Sequence, residues 1–260
     1  MSQPLSGAEQ GKFSAAKAAT TFVKDGMKVG LGTGSTAAWL VRHLAEMVRN
    51  DGLRIQAAAT SLQTATLAGE LGIKIQSLDE IGWLDVTIDG ADEFDGQLNL
   101  LKGGGGALLR EKIVAFASDQ MIVIADVTKD VASLGKFPLP VEVLPFGMQS
   151  SGILIERALL DLGYQTAKPV LRERDGSVFV TDEGNHIFDL HLDTVIDPEM
   201  LSQTLNGIPG VVENGLFLNL CDTVIIGFED GSTETRRFED GAMATSRADN
   251  IANLFSNVGD

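Results

Sequence analysis

Gly32-Thr33-Gly34-Ser35-Thr36 sets glycines and hydroxyls directly ahead of a helical pattern. Unpaired backbone N–H groups and the dipole at a helix start favour an anion, and glycines let the backbone approach it closely. Thr33, Ser35 and Thr36 add hydroxyl donors to the backbone around Gly34. The other reading is a capped tight turn with no ligand. The glycines at 30, 32 and 34 are spaced GxGxG, and the next strand ends at Ala59-Thr60-Ser61 without an acid to hold a ribose. That argues against a dinucleotide site, and the lack of a following GK[ST] argues against a Walker loop. A small phosphate monoester fits better than a nucleotide.

A second stretch, Asp89-Gly90-Ala91-Asp92-Glu93-Phe94-Asp95, has four acids in seven residues at the end of an apolar strand. Asp89 and Asp92 suit hydrogen bonds from sugar hydroxyls. A solvated acidic turn and a hard-cation site are the alternatives. Calcium-hand spacing is absent and no histidine is near in sequence; His43 falls in the first glycine-led helix. The third stretch runs from Lys102 through Gly103, Gly104, Gly105 and Gly106 into an apolar helix carrying Glu111. Lys102 offers an ammonium and the glycines offer N–H groups to developing oxygen charge. Glu111, between Arg110 and Lys112, is a candidate base or else an exposed helix acid in a weak ion pair. Lys129, in the turn after MIVIAD, is a phosphate contact or an ordinary surface lysine.

The elements that must position these groups are read from periodicity. Residues 14–24 read as a helix opened by Ser14, 27–31 as a strand, and the segment after GTGST as a helix with Leu40, Val41, Leu44 and Val48 on one face. Strand 54–59, helix 62–71 closed by Gly72, and strands 73–77 and 85–89 follow. Helix 107–117 and strand 121–126 complete the run. Strands apolar on both faces alternating with helices predict a Rossmann-like, mostly parallel α/β sheet covered by helices on both faces. In such sheets ligands bind beyond the carboxyl ends of the strands, where GTGST, DGADEFD and the turn after MIVIAD fall. Three prolines within 136–145 mark a change. Beyond them, helix 150–162, strands near 169–172, 178–181 and 186–190, and helix 197–205 predict a smaller α+β, ferredoxin-like unit. Runs 216–220 and 223–228 are candidates to rejoin the first sheet. The expected division is 1–135 with 207–240 as the catalytic domain, 136–206 as the small domain, and 241–260 as a frayed or partly helical tail.

Composition narrows the classes. The 260 residues are 44% hydrophobic and 22% charged, with 29 Gly and 7 Pro, values of a globular chain. A formal net charge of -16 argues against a nucleic-acid partner and against an anionic membrane. No apolar run reaches membrane-span length, and the N-terminal residues have no signal-peptide core. The single cysteine, Cys221, cannot form an internal disulfide, which points to a reducing, cytoplasmic setting.

Taken in order, VGLGTGSTAAWL (29–40), TIDGADEFD (87–95), LKGGGGALLREKIVA (101–115), IADVTK (124–129), LGKFPLPVEVLP (134–145) and IPGVVENGLF (208–217) closely resemble the type A ribose-5-phosphate isomerase family. The resemblance implies aldose–ketose interconversion of D-ribose 5-phosphate and D-ribulose 5-phosphate in the pentose phosphate pathway, with no metal and no organic cofactor. It implies that Glu111 is the proton acceptor and that 33–36, 89–92, 102–105 and Lys129 bind substrate, with Lys12 a weaker match near the phosphate. It further implies a homodimer or a homotetramer. The tail beyond about Phe238 is longer than the family's usual ending. The expected mechanism is C2-to-C1 proton transfer by Glu111 through a cis-enediolate, with Lys102 stabilising oxygen charge and Asp89 or Asp92 handling hydroxyl protons.

Two other readings compete. An amino-sugar-phosphate deaminase would want a histidine by the loops, and a sugar-phosphate-sensing regulator would want a basic DNA-binding segment; neither is present. The charge is uneven: residues 1–50 hold six basic and three acidic side chains, whereas 79–95 hold seven acids and no Lys or Arg. Substrate recognition is therefore expected from a few local cations and N–H groups, not from the overall field.

Overall fold

A computed structural model describes residues 5, 7–239 and 241–249. In chain order these form α1 (Gly7–Ala19), β1 (Lys28–Leu31), α2 (Ser35–Asn50), β2 (Gln56–Ala59), α3 (Leu62–Glu70), α4 (Leu78–Ile81), β3 (Val86–Asp89), β4 (Glu93–Phe94), β5 (Leu100–Leu101), α5 (Leu108–Phe116), β6 (Met121–Asp126), β7 (Leu139–Val143), α6 (Met148–Asp161), β8 (Pro169–Leu171), β9 (Glu173–Arg174), β10 (Ser177–Val178), β11 (His186–Leu190), α7 (Pro198–Asn206), β12 (Val211–Asn214), β13 (Leu216–Phe217), β14 (Thr223–Gly227), β15 (Thr233–Glu239) and β16 (Ala242–Ala248).

The chain divides into two compact units. The first comprises Met1–Gly90, Ile113–Asp130 and Leu220–Asp260, and the second Ala91–Lys112 and Val131–Asn219. This differs from the expected partition. The acidic stretch from Ala91 onward and the KGGGG stretch group with the small unit, because β4 pairs with β5, and β5 with β13, and neither joins the large sheet.

The first unit holds a seven-stranded sheet in the order β16-β15-β14-β6-β3-β1-β2. Pairings from β2 through β1, β3 and β6 to β14 are parallel, and β15 and β16 are added antiparallel. The mostly parallel α/β architecture read from the sequence is thus present. Every residue of β3, β6 and β14 is buried, as strands covered on both faces require. Helix α2 buries Ala37, Leu40, Val41, Leu44 and Ala45, one stripe at helical spacing, in a core shared with Val29, Leu31, Ile88, Ile122 and Ile225. Among the described residues no helix is long and apolar enough to cross a membrane.

Several local expectations are corrected. Helix α1 begins at Gly7, so Ser14 is buried inside it and is not a cap. Small residues set that packing: a Cβ on Gly11 would lie 2.7 Å from the carbonyl oxygen of Gly227. Residues 73–77 make only an isolated bridge, Ala57 to Ile75, before the short helix α4. β14 rejoins the first sheet beside β6, but β13 pairs with β5 in the second unit. The expected tail contains a strand: β16 pairs along its whole length with β15, and residues 250–260 lie outside the described residues.

The second unit holds a four-stranded antiparallel sheet, β12-β7-β11-β8, a three-stranded sheet, β13-β5-β4, and the hairpin β9–β10. Leu139, Val141, Val143, Ile155, Leu159, Leu190, Leu201 and Leu205 form its core.

Candidate active site

In the first unit, β1 delivers the chain to α2 across three glycines with distinct roles. A Cβ on Gly30 would lie 2.0 Å from Oγ1 of Thr87, and one on Gly32 would lie 2.1 Å from Oδ1 of Asp89. Those two glycines let β1 and its loop lie flush against β3. Gly34 instead has φ of 101°, open space where its Cβ would stand, and the N-cap position of α2 with no side-chain cap. The first turn of α2 carries no acid, Ser35 is exposed and Thr36 half-buried. The first-turn N–H groups of the helix therefore remain available to an anion.

Asp89 ties this loop to the end of β3. Its side chain is fully buried, and Oδ1 accepts the N–H of Thr33 at 2.9 Å and of Gly90 at 2.7 Å. The Thr33 hydroxyl is engaged by Thr60 Oγ1 at 2.7 Å and Ser61 Oγ at 2.8 Å, while Thr64 donates to the carbonyl of Gly32 at 2.9 Å. Thr60, Ser61 and Thr64 were missed in the sequence. Their signal was the N-cap spacing of Ser61 to Thr64, whose N–H Ser61 accepts. Lys129, half-buried, ends the short turn Val127–Lys129 after β6, which Asp126 caps by accepting the N–H of Thr128 at 3.0 Å. β6 is the neighbour of the strand that ends in Asp89.

In the second unit, Ala91 leads into Asp92, whose N–H donates to the carbonyl of Leu101 and whose Oδ2 accepts the N–H of Gly104 at 2.7 Å. The acidic stretch thus holds the glycine loop directly. Gly103 has φ of 106°, and its carbonyl accepts the N–H of Gly106, closing a turn that leaves Gly105 exposed. Lys102 and Glu111 are buried together, with Lys102 Nζ 3.3 Å from Glu111 Oε1. Glu111 is therefore no solvated helix acid. Its sequence neighbours turn elsewhere. Arg110 pairs with Glu183 and Asp182, and Lys112 donates to Glu213 Oε1 at 2.8 Å and to the carbonyls of Asn214 at 2.7 Å and Leu216 at 2.9 Å. Burial pulls the Lys112 ammonium below the usual lysine range, and Glu213 partly opposes it. The Phe217 ring lies under both cations, 5.5 Å from Lys102 Nζ and 4.7 Å from Lys112 Nζ.

Two anchors of this loop system were not foreseen. Glu93 accepts the N–H groups of Gly135 and Phe137, at 2.7 and 2.6 Å, and Arg172 donates to the carbonyls of Gly103 and Gly104. No local pattern links residues 42 or 69 positions apart. Among the described residues no group of three His, Cys, Asp or Glu side chains is arranged to hold a metal ion. A cavity of about 460 Å³ in the second unit, lined by Asp95, Asn99, Asp197, Glu199 and Asn219 among others, contains none of the expected site residues.

The first unit thus presents a helix start open to an anion, and the second a buried Lys102–Glu111 pair beside a glycine loop. The family model described as ribose 5-phosphate isomerase A (phosphoriboisomerase A) matches residues 56–231. A ribose-5-phosphate isomerase A of Ruegeria sp. (strain TM1040) is 58% identical over 262 aligned residues, covering 100% of both chains. A structure of ribose 5-phosphate isomerase A from Methanocaldococcus jannaschii aligns with a TM-score of 0.76 at 37% identity, covering 91% of this chain and 98% of that one. A D-ribose-5-phosphate isomerase in complex with phospho-erythronic acid aligns with a TM-score of 0.78 at 36% identity, covering 93% and 99%. Identity at this level, sustained over the full length and accompanied by the same fold, leaves one assignment: the chain belongs to the ribose 5-phosphate isomerase A family.

Proposed function

We propose that the protein interconverts D-ribose 5-phosphate and D-ribulose 5-phosphate, with Glu111 as the base that moves the proton. The observation that carries this reading is the buried contact of Glu111 with Lys102 beside a glycine loop. A relative bound to phospho-erythronic acid, a phosphorylated polyhydroxy acid, supports the ligand class.

The chemistry needs few groups. In the open-chain aldose, the Glu111 carboxylate takes the proton from C2, breaking that C–H bond, and the electron pair forms the C1–C2 double bond of a cis-enediolate. The same carboxyl returns the proton to C1, while one hydroxyl proton passes from O2 to O1. C1 is reduced and C2 oxidised within one molecule, so electrons balance without an external carrier. A positioned base supplies about 10²- to 10⁴-fold of rate. Lys102 and the N–H groups of the glycine loop stabilise the enediolate oxygens.

The remaining assignments belong to the same proposal. The phosphate is assigned to the start of α2, with the Ser35 and Thr36 hydroxyls and the Lys129 ammonium. Asp92 Oδ2 already accepts the N–H of Gly104, and its Oδ1 is assigned to a substrate hydroxyl. Asp89, buried and bonded to Thr33 and Gly90, is assigned to holding the phosphate loop. The reading includes action without metal or organic cofactor, a cytoplasmic place in the pentose phosphate pathway, and assembly as a homodimer or homotetramer, which light scattering tests. The direct experiment is ribose 5-phosphate turnover in EDTA. Undiminished ketose formation is expected; absence of turnover, or its loss to EDTA, contradicts the reading.

A further inference from the structure

The glycine loop is held from behind by one side chain. Arg172 directs Nη1 to the carbonyls of Gly103 at 2.8 Å and Gly104 at 3.3 Å, and it gives Nε, at 2.8 Å, and Nη2 to the two carboxylate oxygens of Asp189. Both ends of this bridge are fixed. Asp189 sits in β11, paired with Pro140 of β7 and Val170 of β8, and the Arg172 N–H donates to the carbonyl of Ile187. Phe179, whose N–H donates to the Arg172 carbonyl, fills the space at Gly106, where a Cβ would lie 2.4 Å from the ring. The guanidinium carbon stands 5.8 Å from the centre of that ring.

Peptide geometry turns this clamp into a constraint on the reaction. In a trans peptide the carbonyl of one residue and the N–H of the next point in opposite directions. Fixing the Gly103 carbonyl therefore fixes the Gly104 N–H, which is the group that Asp92 accepts. Fixing the Gly104 carbonyl fixes the N–H of Gly105, the exposed residue of the loop. A cation on the carbonyl side also polarises these peptides and strengthens their N–H donors. Asp189 neutralises the guanidinium in place, and the planar fork suits a carboxylate and two carbonyls in a way an ammonium does not.

We propose that Arg172 is a positioning residue for the isomerisation, aiming the Gly105 N–H at the oxygen charge that develops in the enediolate. This rests on the glycine loop having the role given above. Loss of an oxyanion donor lowers turnover by about 10²- to 10³-fold, so a misaimed donor is expected to lower kcat by about 10- to 100-fold with KM within about threefold of wild type.

The test compares the wild-type protein with Arg172→Ala and Arg172→Lys, reading kcat, KM, inhibition by phospho-erythronate and the melting temperature. Arg172→Lys keeps a charge and one donor nitrogen, so it is the variant expected to fold where the alanine variant does not. Expected are a lower kcat for Arg172→Lys, near-unchanged KM, weaker phospho-erythronate binding, and partial recovery of Arg172→Ala by millimolar methylguanidinium. A folded Arg172→Lys with wild-type kcat overturns the proposal. So does a loss confined to melting temperature and active fraction. A wild-type protein that does not turn over ribose 5-phosphate instead overturns the isomerase reading itself.

Discussion

Lys102 Nζ lies 3.3 Å from Oε1 of Glu111, nine residues along the chain, with both side chains buried. Burying two opposite charges is costly for each alone, and removing one partner penalises the other more than the pair itself contributes. Lys102→Met is therefore expected to destabilise the fold and to lower kcat by about 10²-fold or more, through loss of the cation at the developing oxygen charge. The double variant Lys102→Met with Glu111→Gln is expected to regain part of the stability and none of the activity. A double-mutant cycle by urea denaturation should give a coupling of roughly 0.5–3 kcal/mol.

Lys112 is a second buried cation, with three acceptors and a ring beneath it. Lys112→Met removes the ammonium from Glu213, which keeps its bonds from Asn206 and Asn214, and from two buried carbonyls at once. The expected loss is about 3–5 kcal/mol, read from denaturant midpoints. The residue neighbours Glu111 in α5, so kcat of the folded fraction should also fall. Unchanged stability would show that the three contacts contribute little.

The glycines of the first loop predict different outcomes. Gly32→Ala sets a methyl 2.1 Å from the buried Asp89 oxygen and 2.4 Å from the Asp89 Cα, so backbone must move and the fold should lose about 3 kcal/mol or more. Gly34→Ala has room, and only its φ of 101° is unfavourable. A cost of about 1–3 kcal/mol is expected there, with KM for the sugar phosphate raised more than kcat is lowered. Thermal melts and steady-state kinetics separate the two.

Glu142 gives a pH signature. It is 1% exposed, and its Oε1 accepts from Thr181 at 2.9 Å and Asn185 at 3.0 Å. Among the described residues Oε2 has no hydrogen-bond partner. Burial pushes its carboxyl up, the Asn185 and Thr181 bonds oppose this, and Glu183 and Glu213 add to it. A raised acid binds its proton more tightly when folded, so stability is full below the ordinary carboxylate range and declines as pH rises through the folded value. Glu142→Gln removes that decline. Its melting temperature should match wild type in acid and exceed it by a few degrees at neutral pH, about 2–4 °C for each kcal/mol. A constant difference across pH contradicts this.

Much of the site was legible because its signals are local. The GTGST turn, the apolar strand ending in Asp89, and KGGGG running into an apolar helix each combine a periodicity with a glycine break, and all three appear in the structure. The capping box of Ser77 and Glu80 that opens α4 was equally local and was overlooked. What periodicity does not encode is pairing between distant segments. AMATSRA reads as a polar tail until TETRRFE supplies its hydrogen bonds, and Leu100–Leu101 joins the second unit through its pairing with Leu216–Phe217 and Glu93–Phe94. The burial of Glu111 and the hold of Arg172 on the glycine loop arise the same way, from residues brought together by the tertiary fold.

Glu111 as the base is tested most directly by the fate of the C2 proton. Glu111→Gln keeps the shape of the side chain and removes its basicity. In deuterated solvent, the folded variant should bind ribose 5-phosphate yet show no exchange of the C2 proton, while the wild-type protein exchanges it readily. Exchange by Glu111→Gln at a rate near wild type would contradict the assignment.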